Sequence, residues 1–166
     1  MTKPKPDFLA ILRTLARQRV EFIIVGGVAA LLQGAPLSTF DLDVVHRREQ
    51  SNIDRLLKAV ETLEARFRTP GGANRKPNRS HLSSAGHQLL MTRWGPLDLL
   101  GVIGGDRGYD ELVRETNEVR LGSNLKVRVL SLPALIRDKE EVGRDKDKAV
   151  LAVLRRTLEE GQKPQT

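Results

Sequence analysis

Three aspartates and a pair of glycines hold the residue types with which this chain could do chemistry. Asp41 and Asp43 stand one residue apart in STFDLDVV, downstream of Gly26-Gly27, and Asp98 lies inside the apolar segment PLDLLGVI. Side chains on a strand alternate faces, so Asp41 and Asp43 are predicted to share one face while Leu42 takes the other. Two carboxylates held a few ångströms apart on rigid backbone suit a hard divalent cation such as Mg2+. An acid flanked by Leu97, Leu99 and Leu100 is costly unless it is paired, hydrogen-bonded or bound to metal. If its strand lies beside that of Asp41 and Asp43, three carboxylates converge and their repulsion must be relieved by cations. Such a cluster is suited to two-metal phosphoryl transfer. One ion would hold a triphosphate and the other would activate an attacking hydroxyl, with Asp98 as ligand to the second ion and proton acceptor. Gly26 and Gly27, between the apolar FIIV and a following helix, let backbone N–H groups approach a phosphate at the positive end of that helix.

The elements that must position these groups can be read from periodicity and turn residues. Residues 7–18 place Phe8, Leu9, Leu12, Leu15 and Ala16 at helical spacing, and residues 21–25 form a short buried strand. A helix over 28–33 stops at Gly34 and Pro36, and Thr39 to His46 form the next strand. Ser51 opens a helix with Asp54 as capping partner, its stripe running from Ile53 to Phe67 and its end near Arg68. A long loop follows over 69–79, then a hairpin, 87–93 and 96–103, turning at Trp94-Gly95. A short helix over 109–115, strands at 118–121 and 125–130, a helix from Ser131 and Pro133 to Gly143, and a last helix over 147–159 complete the chain. Helices alternating with a mixed set of strands predict an α+β (α/β) fold, a mixed β-sheet flanked by helices with a short helical C-terminal element.

Size and composition narrow the field. With 166 residues, 39% of them hydrophobic, the chain can bury one ordinary core, so a single domain over 1–166 is expected, its core at about 20–130 and its C-terminal helical element at about 131–160. The chain has no cysteine, which removes disulfides, thiolate zinc sites and cysteine nucleophiles. MTKPKPDF lacks the apolar region of a secretory signal and no window approaches the ~20 apolar residues of a membrane span, so a soluble, cytoplasmic protein with no membrane partner is expected. The net charge is +7, and residues 66–80 hold Arg66, Arg68, Arg75, Lys76 and Arg79 without an acid, which would attract a polyanion or simply form a solvated loop. His46, His81 and His87 lack ligand spacing and read as structural. A nucleophile elbow, the Lys-Ser/Thr of a P-loop and a dinucleotide fingerprint are all missing.

The order of these elements resembles the DNA polymerase β-type nucleotidyltransferase superfamily, most closely its small prokaryotic AbiEii-like and MNT-like members, several of which act as toxins. The family's G-G-x-A followed by G-x-x-R-x-T-x-D-h-D falls on Gly26, Gly27, Ala29, Gly34, Thr39, Asp41 and Asp43, with Leu37 where the arginine usually stands. GPLDLLG at 95–101 resembles the third-acid segment, and LSLPALIRDKEEVGRDKD at 130–147 resembles the basic C-terminal element, matched by Lys139, Arg144 and Asp147. The resemblance spans roughly 22–155.

It implies a nucleotidyltransferase that moves an NMP from an NTP to an acceptor hydroxyl, of an RNA such as the tRNA 3′ end or of a protein, and a toxin role with a cognate antitoxin. Asp41, Asp43 and Asp98 would hold two Mg2+ ions, or Mn2+ in their place. Gly26, Gly27, Thr39, Lys139 and Arg144 would bind the nucleotide, and Lys139 would also neutralise developing charge. Two alternatives stay open: a catalytically inactive nucleotide-binding module, for which Leu37 speaks, and a small-molecule nucleotidyltransferase of the aminoglycoside-modifying type.

Overall fold

The computed structural model describes residues 5–71 and 74–163. Helix α1, Phe8–Arg17, starts where the Asp7 side chain accepts a hydrogen bond from the Ala10 amide, and it buries Ile11, Leu12 and Leu15. Strand β1, Phe22–Val25, is buried along its whole length and runs straight into α2, Gly26–Leu32, so this helix begins at the glycines and not two residues after them. Strand β2 covers Leu42–His46. Thr39 to Asp41 precede it, and the alternation argument therefore does not apply to Asp41.

Helix α3, Gln50–Thr62, turns Ile53, Leu56, Ala59 and Val60 inward, as the apolar stripe predicts. It begins after Glu49, while Ser51 hydrogen-bonds Glu49 and Asp54 pairs with Arg79, so neither expected capping group caps it. It also ends earlier than expected: Glu64 adopts a positive φ, and Arg66–Phe67 become β3. Two residues are too few to show any period, which is why this strand was not legible. Directly after the expected loop, α4 spans Arg79–Ser83, closed by a reciprocal pair in which the Asn78 side chain accepts from the His81 amide and His81 Nδ1 accepts from the Asn78 amide, each at 3.0 Å. Strands β4, His87–Thr92, and β5, Gly95–Leu100, form the predicted hairpin with Arg93 and Trp94 at its turn.

Helix α5, Tyr109–Leu112, leads through a 3-10 turn into the antiparallel pair β6, Thr116–Leu121, and β7, Leu125–Leu130. Helix α6, Leu132–Val142, has Ser131 as its cap, Pro133 in its first turn and Gly143 in the left-handed conformation at its end. A 3-10 turn over Asp145–Asp147 then opens α7, Lys148–Gln162.

The strands form one mixed sheet in the order β3-β4-β5-β2-β1-β7-β6. Strand β2 runs antiparallel to β1 and parallel to β5, and β1 runs parallel to β7. Helix α2 packs on β1, β2 and β7, and α6 packs on α2 and α7. Leu42, Leu97, Leu99 and Leu90 are fully buried on the central strands, with Ile53 and Leu56 of α3 in the same core. This is the α+β arrangement expected, a mixed sheet flanked by helices with a helical C-terminal element. No described helix is long and apolar enough to cross a membrane.

Candidate active site

Because β2 and β5 are parallel neighbours in register, Asp43 sits directly opposite Asp98, while Leu42 and Leu97 pair on the buried face beside them. On its other side Asp43 pairs with Val25, the last residue before the glycine turn. The sheet itself therefore places the second and third acids together, meeting the condition of neighbouring strands on which the convergence of carboxylates depended. The Asp43 carboxyl is pushed up to about 7, first by burial, then by a carboxyl–carboxyl hydrogen bond and charge repulsion from Asp98, then by the charge of Asp41, with Lys139 opposing.

Asp41 reaches the same cluster from the bend before β2 rather than from the strand. Its side chain is about half exposed, and Thr39 Oγ1 donates to its backbone carbonyl at 3.1 Å. Arg68 ties it to Asp98: Nη1 donates to Asp98 Oδ1 at 2.5 Å and Nη2 stands 3.9 Å from Asp41 Oδ2. The acids hold this guanidinium above its ordinary pKa against the desolvation of its partial burial. Asp98 is 8% exposed, so its contact with Arg68 is a largely desolvated ion pair.

The glycines serve close approach. Gly26 has φ +67, and a Cβ there would run into the Asp43 carboxylate; a Cβ at Gly27 would come within 2.9 Å of Thr39 Oγ1. Above them lies a cleft of about 570 Å³ whose polar wall includes Gly26, Gly27, Ser38, Asp43, Asp98, Lys139 and Arg144. Leu37, Leu100, Leu135, Val142 and Leu154 form its apolar wall. Thr39 and Asp41 are not among the lining residues, and Leu37, at the position where the resemblance expects arginine, presents an aliphatic side chain to the cleft.

The C-terminal basic element closes on itself. Asp147, 4% exposed, accepts from Lys139 Nζ at 3.2 Å and from Arg144 Nε at 2.8 Å. Although burial pushes its carboxyl up, these bonds outweigh it and hold Asp147 below the ordinary carboxylate range. Lys139 thus stands between Asp147 and the cleft, near enough to Asp43 to lower its proton affinity.

Most arginines of the 66–80 stretch have partners within the fold. Arg66 donates to the Ala65 carbonyl, Arg75 lies over the Phe67 ring and Arg79 pairs with Asp54. His46 is buried, with Nε2 2.7 Å from the Leu82 carbonyl, and desolvation lowers its pKa, which fits the structural role expected for it. His87 instead lines the cleft. Asp138 lines it too, its carboxyl pushed up by burial and its Oδ1 without a hydrogen-bond partner among the described residues. Sequence reasoning missed Arg68 and Asp138. The first was hidden in a run of like residues, the second beside the more conspicuous Lys139.

Among the described residues no group of three acids or histidines forms a ready metal cage. The donors that do meet, the carboxylate oxygens of Asp41, Asp43 and Asp98, are hard ligands of the kind that suits Mg2+.

No family model matches the sequence, and no curated protein is detectably similar to it. Solved structures do share its fold. The lincosamide antibiotic adenylyltransferase LnuA, lincomycin-bound, is 13% identical with a TM-score of 0.59, over 89% of this chain and 94% of its own. ANT(2'')-Ia in complex with adenylyl-2''-tobramycin is 17% identical with a TM-score of 0.60, over 91% and 87%. An antigenic nucleotidyltransferase-like protein from Paracoccidioides brasiliensis is 16% identical with a TM-score of 0.54, over 95% and 78%. The chain has the nucleotidyltransferase fold.

Proposed function

We propose that the protein is a Mg2+-dependent nucleotidyltransferase that moves an NMP from an NTP to an acceptor hydroxyl. The observation that carries this reading is the register pairing of Asp43 with Asp98 beside the glycine turn, with Lys139 on the same cleft. Asp41, Asp43 and Asp98 would hold two Mg2+ ions, for which Mn2+ could substitute. When bound, they would neutralise the triphosphate and make the acceptor hydroxyl more acidic. Gly26 and Gly27 let the Asp43 carboxylate and the Thr39 hydroxyl approach the turn, and both glycines line the cleft that would receive the triphosphate. Lys139, kept in place by Asp147, offsets charge that develops on the leaving pyrophosphate, and Arg144 adds a second cation at the cleft wall. The acceptor oxygen forms the new bond to the α-phosphorus, the α–β phosphoanhydride breaks, and Asp98 takes the acceptor proton.

The net charge of +7 supports an RNA acceptor such as the tRNA 3′ end, while the toxin role and antitoxin partner rest on the sequence resemblance alone. The antibiotic-adenylylating structural neighbours support a small-molecule hydroxyl. Incubation with α-labelled NTPs and Mg2+ in the presence of total RNA, tobramycin or lincomycin, beside an Asp41→Ala control, identifies the acceptor. Transfer that requires Asp41 establishes the activity. No transfer to any acceptor, with NTP binding retained, would leave a nucleotide-binding module.

A further inference from the structure

We propose that Arg68 is a resident counter-cation that withholds Asp98 from the second divalent ion, so that without nucleotide the acid cluster holds one ion rather than two. The inference rests on reading Asp41, Asp43 and Asp98 as a metal site.

Arg68 does not reach the cluster by chance of a long side chain. Its backbone amide donates to the Leu89 carbonyl at 3.1 Å and its Nη1 donates to the Leu90 carbonyl at 2.8 Å, so β4 fixes both ends of the residue. From that anchorage the same nitrogen meets Asp98 Oδ1 at 2.5 Å, and the other arm of the fork points at Asp41. A guanidinium held in a preorganised fork gives up little entropy by staying there. The pair is charge-assisted and mostly out of water, where separating the partners is costly.

A divalent ion on Asp98 must therefore displace this contact or bind beside a positive charge a few ångströms away. Asp41 meets the guanidinium only at 3.9 Å and Asp43 has no ion pair among the described residues, so these two take the first ion. The triphosphate of an NTP brings the negative charge that lets the second ion and the guanidinium coexist. Arg66, two residues earlier, makes a useful contrast: its Nη1 donates to the Ala65 carbonyl and it has no ion pair among the described residues.

Titration of metal-free protein with Mn2+, followed by the EPR signal of free Mn2+ and without nucleotide, tests this directly. Wild type is expected to bind one ion tightly, and Arg68→Gln to bind a second about tenfold or more tighter than wild type does. Arg66→Gln, which removes the same formal charge, is expected to match wild type. Adding Asp98→Asn to Arg68→Gln should abolish the gain. Equal second-ion affinity in Arg68→Gln and wild type, or an equal gain in Arg66→Gln, overturns the proposal while leaving the metal site intact. Failure of every protein to bind Mn2+ more tightly than an Asp41→Ala/Asp43→Asn variant would overturn the metal-site reading and this proposal with it. Thermal melts accompany the titrations. If Arg68→Gln does not fold, NMR of wild type decides: the hydrogen-bond coupling between the Arg68 guanidinium and the Asp98 carboxylate should persist through the first equivalent of Mg2+ and change only when Mg2+ and a non-hydrolysable NTP are added together, and its loss with the first equivalent refutes the idea.

Discussion

Asp43 and Asp98 are register partners on adjacent parallel strands, two acids facing each other at the centre of a sheet. Like charges directly opposite one another weaken a sheet, so this pairing costs stability in the resting protein. A structural role does not require it. A site that gathers cations does.

Asp43→Asn should stabilise the metal-free protein while abolishing transfer. In the folded state the Asp43 carboxyl lies near 7, above the ordinary value of 3.8, so the folded chain keeps a proton that the unfolded chain releases. Its contribution is full below about 3.8 and is lost as pH rises through about 7. In EDTA at pH 8 the variant should melt several degrees higher than wild type, at about 2–4 °C per kcal/mol, with the difference shrinking towards pH 5. Activity should fall by about 10³ or more. A variant that melts lower at pH 8 would contradict this.

Gly26→Ala places a methyl group against the Asp43 carboxylate and forces an alanine to φ +67. The backbone strain alone should cost about 1–3 kcal/mol in chemical denaturation. Displacement of Asp43 should reduce kcat by about 10² even where the fold survives. Gly105→Ala, where an added Cβ meets nothing within 4 Å, is the control.

Lys139→Met removes the cation between Asp147 and the cleft. Steady-state kinetics should show kcat reduced by about 10² and KM for NTP raised, with Lys139→Arg recovering part of both. A rise in KM with kcat unchanged would assign Lys139 to uniform substrate binding instead.

Asp147→Asn separates anchoring from chemistry. Its carboxyl lies below the ordinary range, so its stabilisation is present above about pH 3.8 and disappears as acid carries the pH through its depressed value. The variant should be less stable by about 1–3 kcal/mol at pH 7 and should lack that part of the wild-type acid transition in denaturation curves.

Much of this was legible from residue types. Asp98 announced itself as an acid among leucines, and Gly26-Gly27 as a turn after a buried strand, because both break a local rule. Arg144 and Asp147 stood out only through family resemblance, since alternating charges over 137–148 read as a solvated face until Asp147 is seen buried between its two partners. Asp41 was identified by a spacing argument that does not describe it, for it precedes the strand. Arg68 could not be picked out from its fellow arginines: only the two-residue pairing of β3 with β4 aims it at Asp98, and no periodicity encodes so short a strand.

The order in which the strands meet also governs when this chemistry could begin. Neighbouring strands β2 and β5 are separated in the chain by α3, β3, α4 and β4, and Lys139 comes later still. A nascent chain emerging from the ribosome with its glycine turn and first two aspartates already folded would remain inert, because its third carboxylate and its lysine have yet to be synthesised. Topology thus acts as a timer, withholding the complete cluster until Asp98 and Lys139 have both been made.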